Sequence, residues 1–252
     1  MRILVLNPNT SASITERLMQ AARPAAAPGT ELEALTAPRG FPYIATRAEA
    51  QIGGAVALEM LAEHHARFDA AIVAAFGDPG LFAARELFDL PVVGMAEAAM
   101  LTACMLGRRF AIVTFARALG PWYAECVEAH GLGGRLAGIR MLDGRFASVA
   151  DVQEEKEALL VELARSAVEE DGADVVILAG APLTGLAAKV RDRVPVPLVD
   201  QMVAAVKQAE ALVTLGARKA TAGTFRRPAP KETCGLPAAL ASRWQGSTET
   251  PK

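Results

Sequence analysis

The sequence predicts an α/β protein of two pseudo-symmetric, doubly wound parallel-sheet subdomains (Rossmann-like or flavodoxin-like) with a small-molecule site between them. Three observations predict this architecture: short apolar runs alternate with longer amphipathic segments, one stretch of the chain repeats another, and glycine-containing turns follow equivalent runs. Continuous apolar runs are typical of strands buried on both faces of a parallel sheet, and their alternation with helices indicates βαβ units.

The predicted elements alternate along most of the chain. The predicted strands are 3–6, 70–75, 91–95, 110–115, 175–179 and 197–199, and the predicted helices are 11–22, 48–65, 80–87, 96–106, 119–129, 151–170 and 202–215. We assign residues 1–97 and about 203–240 to the first subdomain and residues 98–202 to the second, and we expect a flexible tail over 241–252.

An internal repeat supports the two-subdomain prediction. Residues 69–81 align with residues 174–186 at a constant offset, and Pro91-Val-Val-Gly matches Pro197-Leu-Val-Asp one residue out of that register. Two unrelated βα units could share such small-residue strand ends, but a constant offset over strand, turn and next strand favours a true repeat. Related halves would place the carboxyl ends of their strands at a shared cleft, where open parallel sheets bind ligands.

Composition and charge narrow the function. The 252 residues are 52% hydrophobic and 21% charged, with a net charge of −2 and no basic stripe, so we expect a sizeable core and no nucleic-acid partner. No apolar run reaches the roughly 20 residues of a membrane helix, and the N-terminus does not resemble a leader. The cysteines Cys104, Cys126 and Cys234 lack metal-ligand spacing, which favours a reducing, cytoplasmic compartment with no metal site.

The turns that follow the predicted strands supply the candidate site. We predict ligand contacts from residues in or near these turns: Asn9, Tyr43, Ala75, Phe76, Gly77, Thr114, Phe115, Gly180 and Ala181. The glycine patterns of nucleotide cradles are absent from the sequence, so no nucleotide cofactor is expected. Three carboxylates, Asp78, Glu97 and Asp200, are candidate catalytic groups, and each is alternatively a helix cap. The histidines, His130 among them, are predicted to end helices.

The motifs resemble the aspartate/glutamate/hydantoin racemase superfamily, and particularly its hydantoin and allantoin racemase branch. The resemblance runs from Arg2 to about Leu240 and is most specific in Ile-Leu-Val-Leu-Asn-Pro-Asn-Thr at the start and in Phe-Gly-Asp-Pro-Gly-Leu at 76–81. It implies a cofactor-independent reaction on a small substrate with a carboxylate or ring carbonyl, in a homo-oligomer. One cysteine on each half would move a proton to or from one face of the substrate carbon.

The chain departs from that pattern at both cysteines. Ala75 and Gly180 stand where the resemblance implies the two thiols, and neither residue can carry a proton. The neighbours of Gly180 also differ, which favours a naturally diverged member. Cys104 and Cys126 are predicted as small core residues, and Cys234 could act only if the tail covered the cleft. Trp122, Tyr123 and Trp244 could be interface anchors or core residues.

Three functions therefore stay open at this point. The first is a racemase or isomerase of a hydantoin-like or amino-acid-derived compound that uses Asp78, Glu97, Asp200 or Tyr43 in place of thiols. The second is a related lyase, hydrolase or decarboxylase that uses the same anion-binding loops. The third is a non-catalytic homologue that binds a small molecule. The superfamily favours the first.

Overall fold

A computed structural model describes residues 1–143 and 151–245 and contains two four-stranded parallel sheets. The first sheet comprises β1 (Arg2–Asn7), β2 (Glu31–Thr36), β3 (Ala70–Val73) and β4 (Val92–Gly94), in the order β2-β1-β3-β4. The second comprises β5 (Phe110–Thr114), β6 (Leu136–Met141), β7 (Val175–Leu178) and β8 (Leu198–Asp200), in the order β6-β5-β7-β8. The α/β prediction with two parallel sheets is confirmed, and both sheets have the same strand order.

Helices connect these strands in the βαβ pattern that the sequence predicts. They are α1 (Ala12–Ala25), α2 (Arg47–His64), α3 (Leu81–Leu87), α4 (Met95–Leu106), α5 (Gly120–Ala129), α6 (Val152–Glu169), α7 (Leu186–Val190), α8 (Gln201–Thr214) and α9 (Ala238–Ala241). Single 3₁₀ turns occur at His65–Arg67, Arg117–Leu119, Gly133–Arg135, Ala181–Leu183 and Arg191–Arg193. The predicted tail 241–252 begins at the last residue of α9, and residues 246–252 lie outside the described part.

The repeated residues occupy equivalent places in the two sheets. Ile72 pairs with Val5 in the first sheet, and Ile177 pairs with Ile112 in the second. Gly80 and Gly185 precede α3 and α7 with φ angles of 81° and 88°. These positive φ angles are natural for glycine and strained for other residues, which explains why both turns keep it.

Two edge strands, β2 and β6, are absent from the sequence-based prediction. Apart from the exposed Glu31 at the start of β2, their residues are half-buried, and the two strands also carry the charged Glu33 and Arg140. A strand that is partly exposed at the edge of a sheet does not need a continuous apolar run, so the pattern that identifies central strands misses it.

The helices α4 and α8 join the two sheets into one core. They pack against each other, and α4 also packs on β4, β7 and β8 while α8 packs on β3, β4 and β8. The largest apolar cluster includes residues of both sheets and of both helices. A smaller cluster fills the other face of the first sheet, under α2 and α3. Among the described residues no helix is both long and apolar enough to span a bilayer.

Candidate active site

A small cavity lies between the two sheets, at the carboxyl ends of their strands. Its lining includes Ala75, two residues beyond the end of β3, and Gly180, two residues beyond the end of β7. The other lining residues are Asn9, Ile14, Tyr43, Ile44, Phe76, Trp122, Tyr123, Ala181 and Pro182. The cavity volume of about 20 Å³ has room for about one water molecule. A substrate must therefore displace some of these side chains to enter.

Gly180 is held in a conformation that other residues rarely adopt. Its φ angle is 106°, and a Cβ atom at this position would lie 2.6 Å from the ring of Phe115 and 3.4 Å from the hydroxyl of Tyr123. Its N–H donates to Oε1 of Gln201 at 3.0 Å, and its carbonyl accepts from Nε2 of the same side chain. Gln201, which is fully buried, thus fixes the loop on the second half of the site.

Two tyrosines meet at this cavity from different halves of the chain. Tyr43 precedes α2, and the centroid of its ring lies 5.7 Å from the centroid of the Phe115 ring. Tyr123, on α5, packs against Phe76 with 4.7 Å between the ring centroids, and it forms a side-chain hydrogen bond with Thr114. Burial raises the pKa of both phenols. Both side chains are therefore neutral proton donors at physiological pH.

The hydroxyl of Tyr43 is a buried polar atom without a hydrogen-bond partner in the part of the chain that the structure describes. A buried hydroxyl that lacks a partner costs roughly 1–3 kcal/mol, so such atoms are rare and require an explanation. Because Tyr43 lines the cavity, a polar atom of a bound ligand would satisfy this hydroxyl.

Asn9 connects the first strand to the site through its backbone and side chain. Its Oδ1 accepts from the N–H of Ser11 at 2.9 Å and from Nδ2 of Asn7 at 3.1 Å. Ser11 in turn caps α1 by accepting from the N–H of Ile14. These bonds hold the first loop of the cavity rigidly over the start of α1.

The three carboxylates predicted as catalytic candidates lie outside the lining of this cavity. Asp200 caps α8 through the N–H groups of Met202 and Val203, at 3.0 and 3.1 Å, and accepts from Gly185 at 2.6 Å. Asp78 accepts from the N–H groups that begin α4, those of Ala96 and Glu97, both at 2.8 Å. Their bonds are those of helix caps, and a catalytic role for them stays a prediction that these positions do not favour.

The carboxylates of Asp78 and Asp200 both link a βα turn to the start of the helix after the next strand, but they belong to different ends of that link. In the second half Asp200, at the end of β8, reaches back to the βα turn at Gly185. In the first half the equivalent strand end is Gly94, and Asp78 reaches forward from the turn. A Cβ atom on Gly94 would collide with the carboxylate of Asp78. In each half, one aspartate links the turn after the third strand to the helix that follows the fourth strand. The aspartate lies in the turn in the first half and at the end of the fourth strand in the second half.

Glu97 and His130 complete an ionic cluster around Asp78. His130 follows α5, as the sequence predicts, and its Nε2 lies 3.6 Å from Asp78 while its Nδ1 lies 3.3 Å from Glu97. Burial alone would lower the pKa of His130, but hydrogen bonds to Asp78, Cys126 and Glu97 raise it to about 11. Arg85 binds both oxygens of Glu97. The cluster connects the start of α4, at Glu97, to the end of α5.

The pairing of Glu97 predicts a stability contribution that acid removes. Burial would raise its pKa, but hydrogen bonds from Arg85 and His130 lower it to about 2. A carboxyl whose pKa is lower in the folded state stabilises the fold above its unfolded pKa and loses that contribution as pH falls toward the folded value. We expect Glu97→Gln to lower the urea midpoint at pH 7 and to cost less as pH falls from about 4.5 toward 2. A penalty that is independent of pH would contradict this assignment.

Six of the nine predicted ligand residues line the cavity, and three do not. Gly77 lines a neighbouring cavity, while Thr114 and Phe115 are fully buried beside Tyr123 and Gly180. Trp122 and Tyr123 are buried rather than exposed, which agrees with the core alternative for them. Ile14, Ile44, Pro182 and Gln201 were not predicted. In sequence, Ile14, Ile44 and Pro182 are indistinguishable from ordinary core residues. The only feature that could have identified Gln201 is its position directly after the repeated strand.

Comparisons with known proteins place this chain in a family. The family model described as Asp/Glu/Hydantoin racemase matches residues 3–209. A hydantoin racemase of Paenarthrobacter aurescens is 37% identical over 240 residues, which cover 92% of this chain and 99% of that protein. The chain therefore belongs to the Asp/Glu/hydantoin racemase family, and the resemblance in its motifs is confirmed.

Solved structures agree with this assignment. An allantoin racemase from Klebsiella pneumoniae superposes with a TM-score of 0.89 at 34% identity, over 95% of this chain and 98% of that one. An allantoin racemase from Pseudomonas fluorescens gives a TM-score of 0.86 at 35% identity, over 93% and 100% of the two chains. The hydantoin and allantoin racemase branch is thus the part of the family to which this chain is similar.

Proposed function

We propose that this protein is a cofactor-independent racemase or isomerase of a small hydantoin-like compound, and that its proton transfers use groups other than cysteine. Family membership and full-length similarity to hydantoin and allantoin racemases support the reaction class. The observation that carries the proposal is the buried hydroxyl of Tyr43, which has no hydrogen-bond partner among the described residues and lies in the cavity between Ala75 and Gly180. A ring carbonyl oxygen of a substrate is a suitable partner for that hydroxyl.

Racemisation requires acid and base groups on opposite faces of the reacting carbon. Tyr43 comes from the first half of the chain and Tyr123 from the second, and both line the cavity where the thiols are missing. One tyrosine, after losing its hydroxyl proton to solvent against its raised pKa, would take the proton from the carbon beside the carbonyl, which gives an enolate. The other phenol would return a proton to the opposite face, so the substrate formula does not change. Neutral phenols also stabilise the enolate oxygen by donating hydrogen bonds.

Proton exchange at the substrate carbon tests the proposal directly. In deuterated buffer, we expect the protein to accelerate loss of the carbon-bound proton from hydantoins or allantoin above the blank rate, followed by NMR. We expect Tyr43→Phe and Tyr123→Phe each to reduce this acceleration by roughly a hundredfold or more, the typical size of a general acid–base contribution. No acceleration by the unmodified protein with any compound of the panel would contradict the proposal.

The stability of Tyr43→Phe provides the control for this experiment. Because the hydroxyl has no partner among the described residues, its removal should leave the unfolding midpoint unchanged or slightly raised. A loss of exchange in a variant of unchanged stability then reports chemistry or binding rather than unfolding. Ligand-induced thermal stabilisation without any exchange would indicate a binding protein instead.

We also propose that the protein acts in the cytoplasm as a homo-oligomer. All three cysteines are free, as is usual in a reducing compartment. Leu101, Met105 and Leu106 on α4 are exposed and could be covered by a second copy. We expect Met105→Glu to shift the sedimentation coefficient toward that of a monomer. An unchanged coefficient would exclude this face from the interface.

A further inference from the structure

A second cavity lies beside the first and has a different chemical lining. It has a volume of about 490 Å³ and lies between α2, the turn after β3, and α5. Asp78, Cys126 and His130 share one part of its wall. Neither the proposed reaction nor the predicted ligand contacts use Cys126 or His130.

We infer that Asp78, Cys126 and His130 form a binding site for a divalent transition-metal ion of the zinc type. The ligand atoms that these side chains offer all lie within 4.8 Å of one another. Cys126 and His130 are one helical turn apart, so they share a face at the end of α5. Bonds of about 2.0–2.3 Å to a tetrahedral ion place ligand atoms roughly 3.3–3.8 Å apart. The distance of 3.6 Å between His130 Nε2 and Asp78 Oδ2 lies in that range.

The surroundings of His130 match those of a metal-binding histidine. Its Nε2 faces Asp78 and Cys126 is its hydrogen-bond partner, while its Nδ1 lies 3.3 Å from Glu97. A carboxylate on the far ring nitrogen orients a metal-binding imidazole and strengthens it as a ligand. Glu97 is held in turn by Arg85. The residues that would orient the metal ligand His130 from behind, Glu97 and Arg85, are therefore in place.

Asp78 is also preorganised for this role. It is the only non-glycine residue with a positive φ angle, 49°, in the described part of the chain. Strained backbone of this kind concentrates at functional sites. Its side chain is almost fully buried and is oriented by the N–H groups of Ala96 and Glu97. The carboxylate is thus fixed before any ion arrives.

The donor set and the cavity indicate which ions fit. A thiolate, an imidazole and a carboxylate together favour zinc or cobalt over magnesium or calcium, which prefer oxygen ligands alone. Three protein ligands leave a fourth position, and the cavity gives it access to solvent. Binding releases the protons of the thiol and the imidazolium. The repeat places Leu183 at the position of Asp78, so this carboxylate has no equivalent in the second half.

Cobalt(II) titration of the metal-free protein tests this inference. We expect one ion per chain, a thiolate-to-cobalt charge-transfer band in the near ultraviolet, and displacement of cobalt by zinc. Cys126→Ser should abolish the band, and His130→Asn should weaken cobalt binding at least tenfold, as loss of a ligand or its orientation does elsewhere.

A variant in which Cys104 and Cys234 are both serine is the matched control, because it leaves Cys126 as the sole thiol. It should retain the band and the stoichiometry. The absence of a band in the unmodified protein, or a band that survives Cys126→Ser, would overturn the inference. Because the readout is spectroscopic, it is independent of the proposed racemase activity.

Discussion

Asp78→Ala is expected to lower the free energy of unfolding by about 3–5 kcal/mol, the usual cost of removing one partner from a buried ionic network. Asp78 is only 6% exposed, and its carboxylate accepts hydrogen bonds from two N–H groups at the start of α4. Its loss leaves these groups without acceptors and leaves His130 with one carboxylate fewer. Chemical denaturation with a two-state fit measures the change.

Asp200→Ala is the comparison for this prediction. Asp200 also binds backbone N–H groups, but no cationic side chain faces it at salt-bridge distance among the described residues. We expect a cost of about 1–2 kcal/mol, as for other helix caps. Equal costs for the two substitutions would show that the ionic cluster around Asp78 adds nothing to its role as a cap.

Gly180→Ala is expected to cost about 2–6 kcal/mol, from two sources. A φ angle of 106° is strained for alanine, which costs roughly 1–3 kcal/mol. The added methyl group would also lie 2.6 Å from the Phe115 ring, and overpacking of this kind costs about 1–3 kcal/mol. Urea unfolding of the two proteins gives the difference.

Gly185→Ala separates these two contributions. Its φ angle of 88° imposes similar backbone strain, but a Cβ atom there meets nothing within 4 Å. We expect it to cost less than Gly180→Ala, and Phe115→Leu should recover part of the deficit at Gly180 only. If both glycine substitutions cost the same, the Phe115 contact is unimportant. The same contact means that a thiol at position 180 requires a smaller residue at 115.

The central strands and the repeated turns could be predicted from sequence because burial leaves a direct mark on composition. Ala70–Val73 and Val175–Leu178 are fully buried, and their unbroken apolar runs show it. The edge strands β2 and β6 carry charges and are partly exposed, so they resemble surface segments. A continuous apolar run therefore identifies strands that are buried on both faces, and it misses strands that are partly exposed to solvent.

The candidate site could be predicted only as far as the repeat reaches. The repeat identified Ala75 and Gly180 as equivalent loop positions, and both line the cavity. It could not identify Tyr123 or Gln201, because their places depend on how α5 and α8 pack against strands distant in sequence. His130 was predicted correctly as a helix end, but its contacts with Asp78 and Glu97 arise only when the two halves meet.

The shared packing of α4 and α8 bears on how such a chain could arise. Each helix covers parts of both sheets, so a single half would leave one apolar helix face exposed to water. An ancestor of half this length would therefore have needed a second copy of itself to bury that face. Duplication within one gene turns such an obligatory dimer into a single chain. The two halves could then diverge separately, as the opposite placement of Asp78 and Asp200 illustrates.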